Sequence, residues 1–166
     1  MLQIILGAIS LGLLWAVMTI GVYITYRILD ISDLSVEGSI AMGAAIAAFQ
    51  IYNGMNPFVA TLLAMIGGML AGLITGLLHT RLKIPALLSG ILTMISLYSI
   101  NLRIMGKANI SLLRIDTVYT TFEKLGLSQS NSVMLFGFIC AILIIFILYW
   151  FFGTEIGCAI RATGNN

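Results

Sequence analysis

Apolar residues along this chain come in runs separated by short polar breaks, and the length of each run decides what it can build. A helix needs about 20 mostly apolar residues to cross the hydrocarbon of a bilayer. The first run extends from about Leu2 to Tyr26 and stops at Arg27. The second, about Ile40 to Tyr52, is short unless it begins inside the polar stretch of residues 30–39 that precedes it. Asn53-Gly54-Met55-Asn56-Pro57 reads as a turn through its Asn-Gly and Asn-Pro pairs. A third run covers about Phe58 to Leu78 and closes at His79, Arg81 and Lys83; a fourth covers about Ile84 to Met105; and a fifth covers about Ser132 to Phe152. The pattern predicts an all-α fold, a polytopic transmembrane helix bundle of about five spans, in a single transmembrane domain over residues 1–166.

Two segments stay open at this level. Starting the second helix at Leu34 puts Ser35, Glu37 and Ser39 at membrane depth, where polar groups face a cavity or a partner helix rather than lipid. The alternative is an interfacial loop over residues 30–39 with Glu37 among the headgroups. Residues 106–131 carry a weak helical rhythm in Leu112, Ile115, Tyr119 and Phe122, with Arg114, Asp116, Glu123 and Lys124 between them. That pattern suits a helix lying in the membrane interface, and equally an extramembrane loop.

Small residues recur at helical spacing. Gly68, Gly72 and Gly76 share one face of the third helix, and Ala8, Gly12 and Ala16 share one face of the first. Such stripes let helix backbones approach closely where lipid supplies no hydrophobic force between them. With the Ala/Gly-rich stretch from Ala41 to Ala48, they predict a tightly packed bundle.

Composition sharpens the membrane assignment. Of the 166 residues, 60% are hydrophobic and 8% charged, whereas soluble domains are about 45–50% apolar and about 25% charged. Mean hydropathy is +1.10. Membrane lipid is therefore the first partner. The net charge of +2 is spread along the chain, which leaves no electrostatic footprint for nucleic acid. No positively charged segment precedes the first run, so it reads as a permanent helix rather than a cleaved signal. With five spans, Arg27, Arg81, Lys83 and Arg161 fall on one side, and Arg103, Lys107, Arg114 and Lys124 on the other. That balance leaves the orientation undecided by cation count.

Chemistry-bearing clusters are sparse. His79 is the single histidine and sits at a helix end, where an interfacial or C-terminal capping role is the default. Cys140 lies in an apolar run and Cys158 in the polar tail, with no metal-ligand spacing between them. No phosphate-binding Gly-Lys-Ser/Thr loop is present. These patterns predict no enzyme, no catalytic set, no metal and no cofactor. For a solute path, the polar groups at membrane depth are the candidates: Ser35, Glu37 and Ser39, with Asn101 on the fourth helix.

The tail from Gly153 to Asn166 directly follows the fifth helix and starts an amphipathic pattern. Its Gly157, Arg161, Ala162, Gly164 and Asn166 fit the form G-x-x-x-R-A-x-G-x-N. In this the sequence resembles the permease subunits of bacterial ABC importers of the branched-chain amino acid and ribose type, within an uncharacterised amino-acid-like branch. The stretches Arg27-Ile28-Leu29-Asp30, Asp33 to Ser39, Gly43-Ala44, Thr75 to Thr80, Leu97 to Gly106 and Asn109 to Leu112 extend the resemblance over the whole chain.

That resemblance implies a membrane-spanning importer subunit in a bacterial plasma (inner) membrane, with residues 153–166 cytoplasmic and the N-terminus outside. The matching tail residues would begin a helix that couples to a separate ABC ATPase subunit, Arg161 making a contact while Gly157 and Gly164 permit close backbone approach. It further implies a second permease subunit, identical or not, and an extracytoplasmic solute-binding protein. Members of that family continue for several helices beyond this motif, so the chain reads as truncated or as a fragment. The competing readings are a non-transporting membrane scaffold and a small channel or secondary carrier. A self-contained carrier would show broken helices in both halves, and only one broken segment is visible.

Overall fold

A computed structural model of the chain describes residues 2–113, 115–123, 126 and 128–164, with side chains from residue 4 onward. Arg114, Lys124 and Asn166 therefore lie outside the described residues. The described residues form helices α1 (Leu2–Tyr23), α2 (Ser35–Tyr52), α3 (Pro57–Thr80), α4 (Ala86–Met105), α5 (Thr120–Glu123), α6 (Gln129–Phe152) and α7 (Glu155–Thr163). A π-helical turn, Ile24–Ile28, continues α1. Among the described residues, four segments are long and apolar enough to cross a membrane: Ile4–Ile28, Pro57–Thr80, Ala86–Met105 and Gln129–Phe152. The polytopic helical bundle read from the sequence is thus the architecture found. α2 is the expected span outside that set; its 18 residues rise about 27 Å at 1.5 Å each, slightly under the ~30 Å hydrocarbon thickness.

Local chemistry explains the helix ends. Asn56 caps α3, its Oδ1 accepting from Phe58 N at 2.9 Å, with Pro57 in the first turn. α4 stops at Gly106, whose φ of 66° is the left-handed cap that favours glycine. Within the apolar helices, hydroxyls turn back on their own backbones: Thr61 Oγ1 donates to Pro57 O, Thr93 Oγ1 to Ser89 O and Ser96 Oγ to Leu92 O. A polar side chain in lipid must find a partner inside the protein, and the carbonyl one turn back is always within reach.

The chain divides into two compact units, residues 32–118 and residues 1–31 with 119–166. In the first, α2 packs on both α3 and α4, and more extensively on each than they pack on one another. Gly38 lies against Met94 and Leu97, and Gly43 against Ala64. α2 therefore runs parallel to α4, with α3 antiparallel to both. Thr75 Oγ1 donates to Thr93 Oγ1 at 3.0 Å, joining α3 to α4 through a buried pair.

This packing bears on two of the sequence readings. α2 begins at Ser35, so Ser35, Glu37 and Ser39 are helical, and the loop alternative for residues 30–39 ends there. Asp33 Oδ1 accepts from Ser35 N at 2.7 Å and opens the helix. Within this unit the buried small residues of α3 are Ala60, Gly67, Ala71 and Thr75; of Gly68, Gly72 and Gly76, Gly68 comes near α2, a Cβ built there standing 4.0 Å from Ser39 O. Ile46 presses on Gly67, while a Cβ built at Gly72 or Gly76 meets nothing within 4 Å among the described residues. The two stripes are adjacent on the helix, about 100° apart, and only the neighbouring α2 selects between them.

In the second unit, α1 and α6 run parallel along one seam. Ser10 Oγ donates to Leu6 O at 2.8 Å and lies 3.3 Å from Ser130 O. Leu13 packs on Gly137, its Cβ 3.2 Å from a Cβ built there. The close approach thus uses a glycine on α6 facing a leucine on α1. The predicted stripe Ala8, Gly12, Ala16 does not make it: Ala8 and Gly12 are exposed and Ala16 is half-buried. α6 starts at Gln129, earlier than Ser132, and buries Ser132, Gly137 and Ala141. Residues 106–119 hold no regular helix among those described, and only the turn α5 follows. The loop reading fits this segment better than an interfacial helix.

Candidate functional site

Two of the four candidate solute-path residues come together, both in the unit of residues 32–118. Glu37 on α2 and Asn101 on α4 line a groove of about 470 Å³ between those helices, with Gly38, Ala41, Met94 and Tyr98. That volume is in the range of about 300–1,000 Å³ usual for small-molecule sites. Its walls are apolar except at these two residues and the Tyr98 hydroxyl. Gly38 brings α2 within contact of the α4 backbone, a built Cβ standing 3.0 Å from Met94 Cα. A larger residue at position 38 would force the helices apart and change the groove.

Asn101 is the unusual member. It is 6% exposed, and its Oδ1 is buried without a hydrogen-bond partner among the described residues. An unpaired buried acceptor costs about 1–3 kcal/mol, so such a group calls for a functional explanation. Glu37 is exposed at the other end of the groove.

The remaining two candidates stand apart. Ser35 is buried at the start of α2, where its carbonyl accepts from Ser39 Oγ at 2.9 Å. The α2 terminus lies against Gly90, where a built Cβ would stand 2.7 Å from Leu34 N. Ser39 faces α3, its carbonyl 4.0 Å from a Cβ built at Gly68. Neither serine lines the groove. Tyr98 and Gly38 do, and sequence reading missed them as site residues; the available signal was Met94, Tyr98 and Asn101 at steps of four and three on one face of α4. His79 bonds into the following loop rather than to the last carbonyls of α3: its Nδ1 meets Ile84 O at 2.8 Å and closes the α3–α4 turn.

The tail residues belong to the other unit. Thr154 caps α7, its Oγ1 accepting from Gly157 N at 3.3 Å and donating to Phe151 O at 2.6 Å. A Cβ at Gly157 would collide with Phe151 O and stand 2.5 Å from Phe152 Cα. One at Gly164 would collide with Ile28 O and stand 2.9 Å from Leu29 Cα. Both glycines therefore seat α7 on its own chain, at the end of α6 and at the π-helical turn. Arg161 turns the same way, its Nη2 donating to Phe152 O at 2.9 Å and to Cys158 Sγ at 3.3 Å. A cation there meets the negative end of the α6 dipole and a terminal carbonyl that lacks an intrahelical donor. Ala162 is exposed, as are Ile156 and Ala159. The five tail residues thus divide: Gly157 and Gly164 abut backbone of the same chain, exposed Arg161 bonds back to Phe152 O, Ala162 is exposed, and Asn166 is outside the described residues.

No solved structure matches the chain. A permease of Clostridioides difficile (strain R20291), "Tyrosine transport system permease protein", is 46% identical over 165 residues, which are 98% of this chain and 52% of that protein. An uncharacterized protein of Rickettsia prowazekii (strain Madrid E) is 34% identical over 165 residues, 99% of this chain and 56% of its own length. The chain spans about half the length of the curated relatives it matches. A family model described as "Branched-chain amino acid transport system / permease component" matches residues 4–166. With nearly every described residue inside that match, the chain belongs to the branched-chain amino acid transport system permease component family.

Proposed function

We propose that the chain is part of the membrane-spanning subunit of an ATP-driven ABC importer of amino acids, forming a solute path and coupling to a separate ATPase subunit. The observation that carries this reading is the seat of α7. Gly157 and Gly164 hold it against backbone at the ends of α1 and α6, so a push on α7 would reach two long helices without slack. Its outward residues Ile156, Ala159 and Ala162 form a small apolar face available to the ATPase. Arg161 then serves by fixing the α6–α7 corner. No covalent chemistry is required of this subunit; closure of the ATPase would bias the bundle between two packings.

The solute is an aromatic amino acid, by extension from the name of the Clostridioides relative. A second permease subunit completes the path, and a solute-binding protein delivers from outside. The α7 end is cytoplasmic in the plasma membrane. Parity supports five crossings: α1 and α6 run parallel, and two parallel spans need an odd number of crossings between them. α2 supplies the third crossing along with α3 and α4.

The test is ATP-driven uptake in proteoliposomes holding the complete transporter with Arg161→Glu. A carboxylate facing Phe152 O should abolish uptake and uncouple it from ATPase stimulation while membrane insertion stays normal. Unchanged uptake would remove Arg161 and the α7 seat from the mechanism.

A further inference from the structure

We infer that the groove between α1 and α6 at the α7 end binds one phospholipid with an anionic headgroup, its acyl chain along the two helices and its phosphate on Arg161. The inference goes beyond the importer reading and stands without it, because it needs only the membrane around these helices. The groove measures about 500 Å³, within the range of about 300–1,000 Å³ usual for small-molecule sites. Ile20, Ile24, Ile145 and Leu148 line its length, and among the described residues its one charged lining residue is Arg161. Because α1 and α6 run parallel, these apolar walls lie towards the middle of both spans and the guanidinium lies where the spans end. From Ile145 to Phe152 the wall extends about seven residues, or roughly 10 Å at 1.5 Å each.

Three features choose this occupant over a helix. Exposed Tyr23 and Tyr149 line the same groove, and tyrosines gather at headgroup level, where one end of the ring is apolar and the other wet. The groove thus crosses from hydrocarbon to headgroups, as an amphiphile does. The guanidinium also has donors to spare. Its bonds to Phe152 O and Cys158 Sγ both use Nη2, which leaves Nε and Nη1 without a partner among the described residues. A phosphate accepts strongly from such a cation, and Arg161 keeps its bond to Phe152 O while it donates. Arg27, exposed on the π-helical turn four positions after Tyr23, adds a second cation at the same end. Asp30 and Glu155, the acidic residues nearest in sequence, do not line the groove. An apolar helix laid there would leave the Arg161 charge without a counterion, whereas an anionic lipid supplies one.

The experiment is native mass spectrometry of the complete permease in detergent, with phosphatidylglycerol and phosphatidylcholine of identical acyl chains as probes. One phosphatidylglycerol should be retained at least about fivefold better than phosphatidylcholine, the worth of one basic residue facing an anionic headgroup. Arg161→Gln should bring that ratio to about one, and Arg161→Lys should keep most of it. Leu148→Trp fills the apolar part of the groove and should lower retention of both lipids alike. Glycerol 3-phosphate, the headgroup end without chains, should not displace the bound lipid; displacement would make this a phosphate site and overturn the lipid. Added phosphatidylglycerol should raise the thermal midpoint of the wild type and leave that of Arg161→Gln unmoved, a readout that poor folding alone would not give. Equal retention of the two lipids by the wild type, or an unchanged ratio in Arg161→Gln, overturns the site. So does unchanged retention in Leu148→Trp, which would mean that another helix of the assembled permease fills the groove. None of these readouts uses ATP, so a transporter that takes up solute without retaining the lipid loses only the groove.

Discussion

The two units use small residues in different ways. Along α2, α3 and α4 they act through the length of the helices: Ala45, Ala60 and Ala71 are buried at the crossings, and Gly38 and Gly67 take neighbouring side chains or backbone. In the α1/α6 unit the decisive glycines stand at one end, where Gly157 and Gly164 meet backbone atoms. Only 6% of the most apolar stretch of the first span is buried, against 28% in α4. The first span thus leaves most of its surface uncovered by the described residues and is held by a narrow seam and a fixed end. A side chain that intrudes on another side chain can be accommodated by a rotamer change, whereas one that intrudes on backbone cannot. The end of α1/α6 should therefore tolerate less than the middle of α2/α3.

The sharpest break of that contrast is Gly164→Val. Its Cβ would overlap Ile28 O, so α7 should leave its seat, with ATP-driven uptake falling to background and exposed Cys158 labelling faster with a maleimide. Unchanged uptake and labelling would show that backbone contact at this end is not decisive. Next comes Gly67→Leu, which presses on Ile46, a flexible side chain. Overpacking should cost about 1–3 kcal/mol, read as a lower thermal midpoint with uptake retained. Loss of uptake here, equal to that of Gly164→Val, would erase the difference between the units.

A smaller effect is expected from uncoupling the buried hydroxyls. The Thr75→Val/Thr93→Val double-mutant cycle should give a coupling of about 0.6 kcal/mol, the average for hydrogen bonds between membrane helices. Smallest of all is Gly72→Leu, one position round the helix from the packed face. Within the isolated subunit it should change stability by less than about 0.5 kcal/mol, read as a nearly unmoved thermal midpoint. A large loss there, in the assembled transporter alone, would assign the Gly68/Gly72/Gly76 stripe to contact with another subunit.

Much of the fold was legible because bilayer thickness imposes a length on each apolar run. The spans α3, α4 and α6 begin and end within a few residues of the breaks at Pro57, Arg81, Gly106 and Gly153. Face was harder to read. In α3, small residues come in adjacent pairs, Gly67-Gly68, Ala71-Gly72 and Thr75-Gly76, and periodicity alone rates both stripes alike. The start of α2 was obscured by Glu37, because a charge near an apolar run reads as a boundary until the groove beside it is seen. Polarity at membrane depth pointed to Glu37 and Asn101, yet gave Ser35 and Ser39 equal weight. What separates them is partnership: Ser39 bonds back to Ser35 O, and Asn101 Oδ1 bonds to nothing among the described residues. In the tail, the sequence marked Gly157 and Gly164 for close approach at the ATPase contact, and it could not say that Phe151 and Ile28 of the same chain lie against them.

The π-helical turn at Ile24–Ile28 has a consequence for how this end of the protein can vary. Such a turn holds one more residue than an α-helical turn, as if a single codon had been inserted without disturbing what lies on either side. Removing one residue between positions 24 and 28 should regularise the helix and swing the Ile28 carbonyl away from Gly164. Homologous chains that lack this residue should then no longer require glycine at the position equivalent to 164, so that length at one site and side-chain size at the other change together.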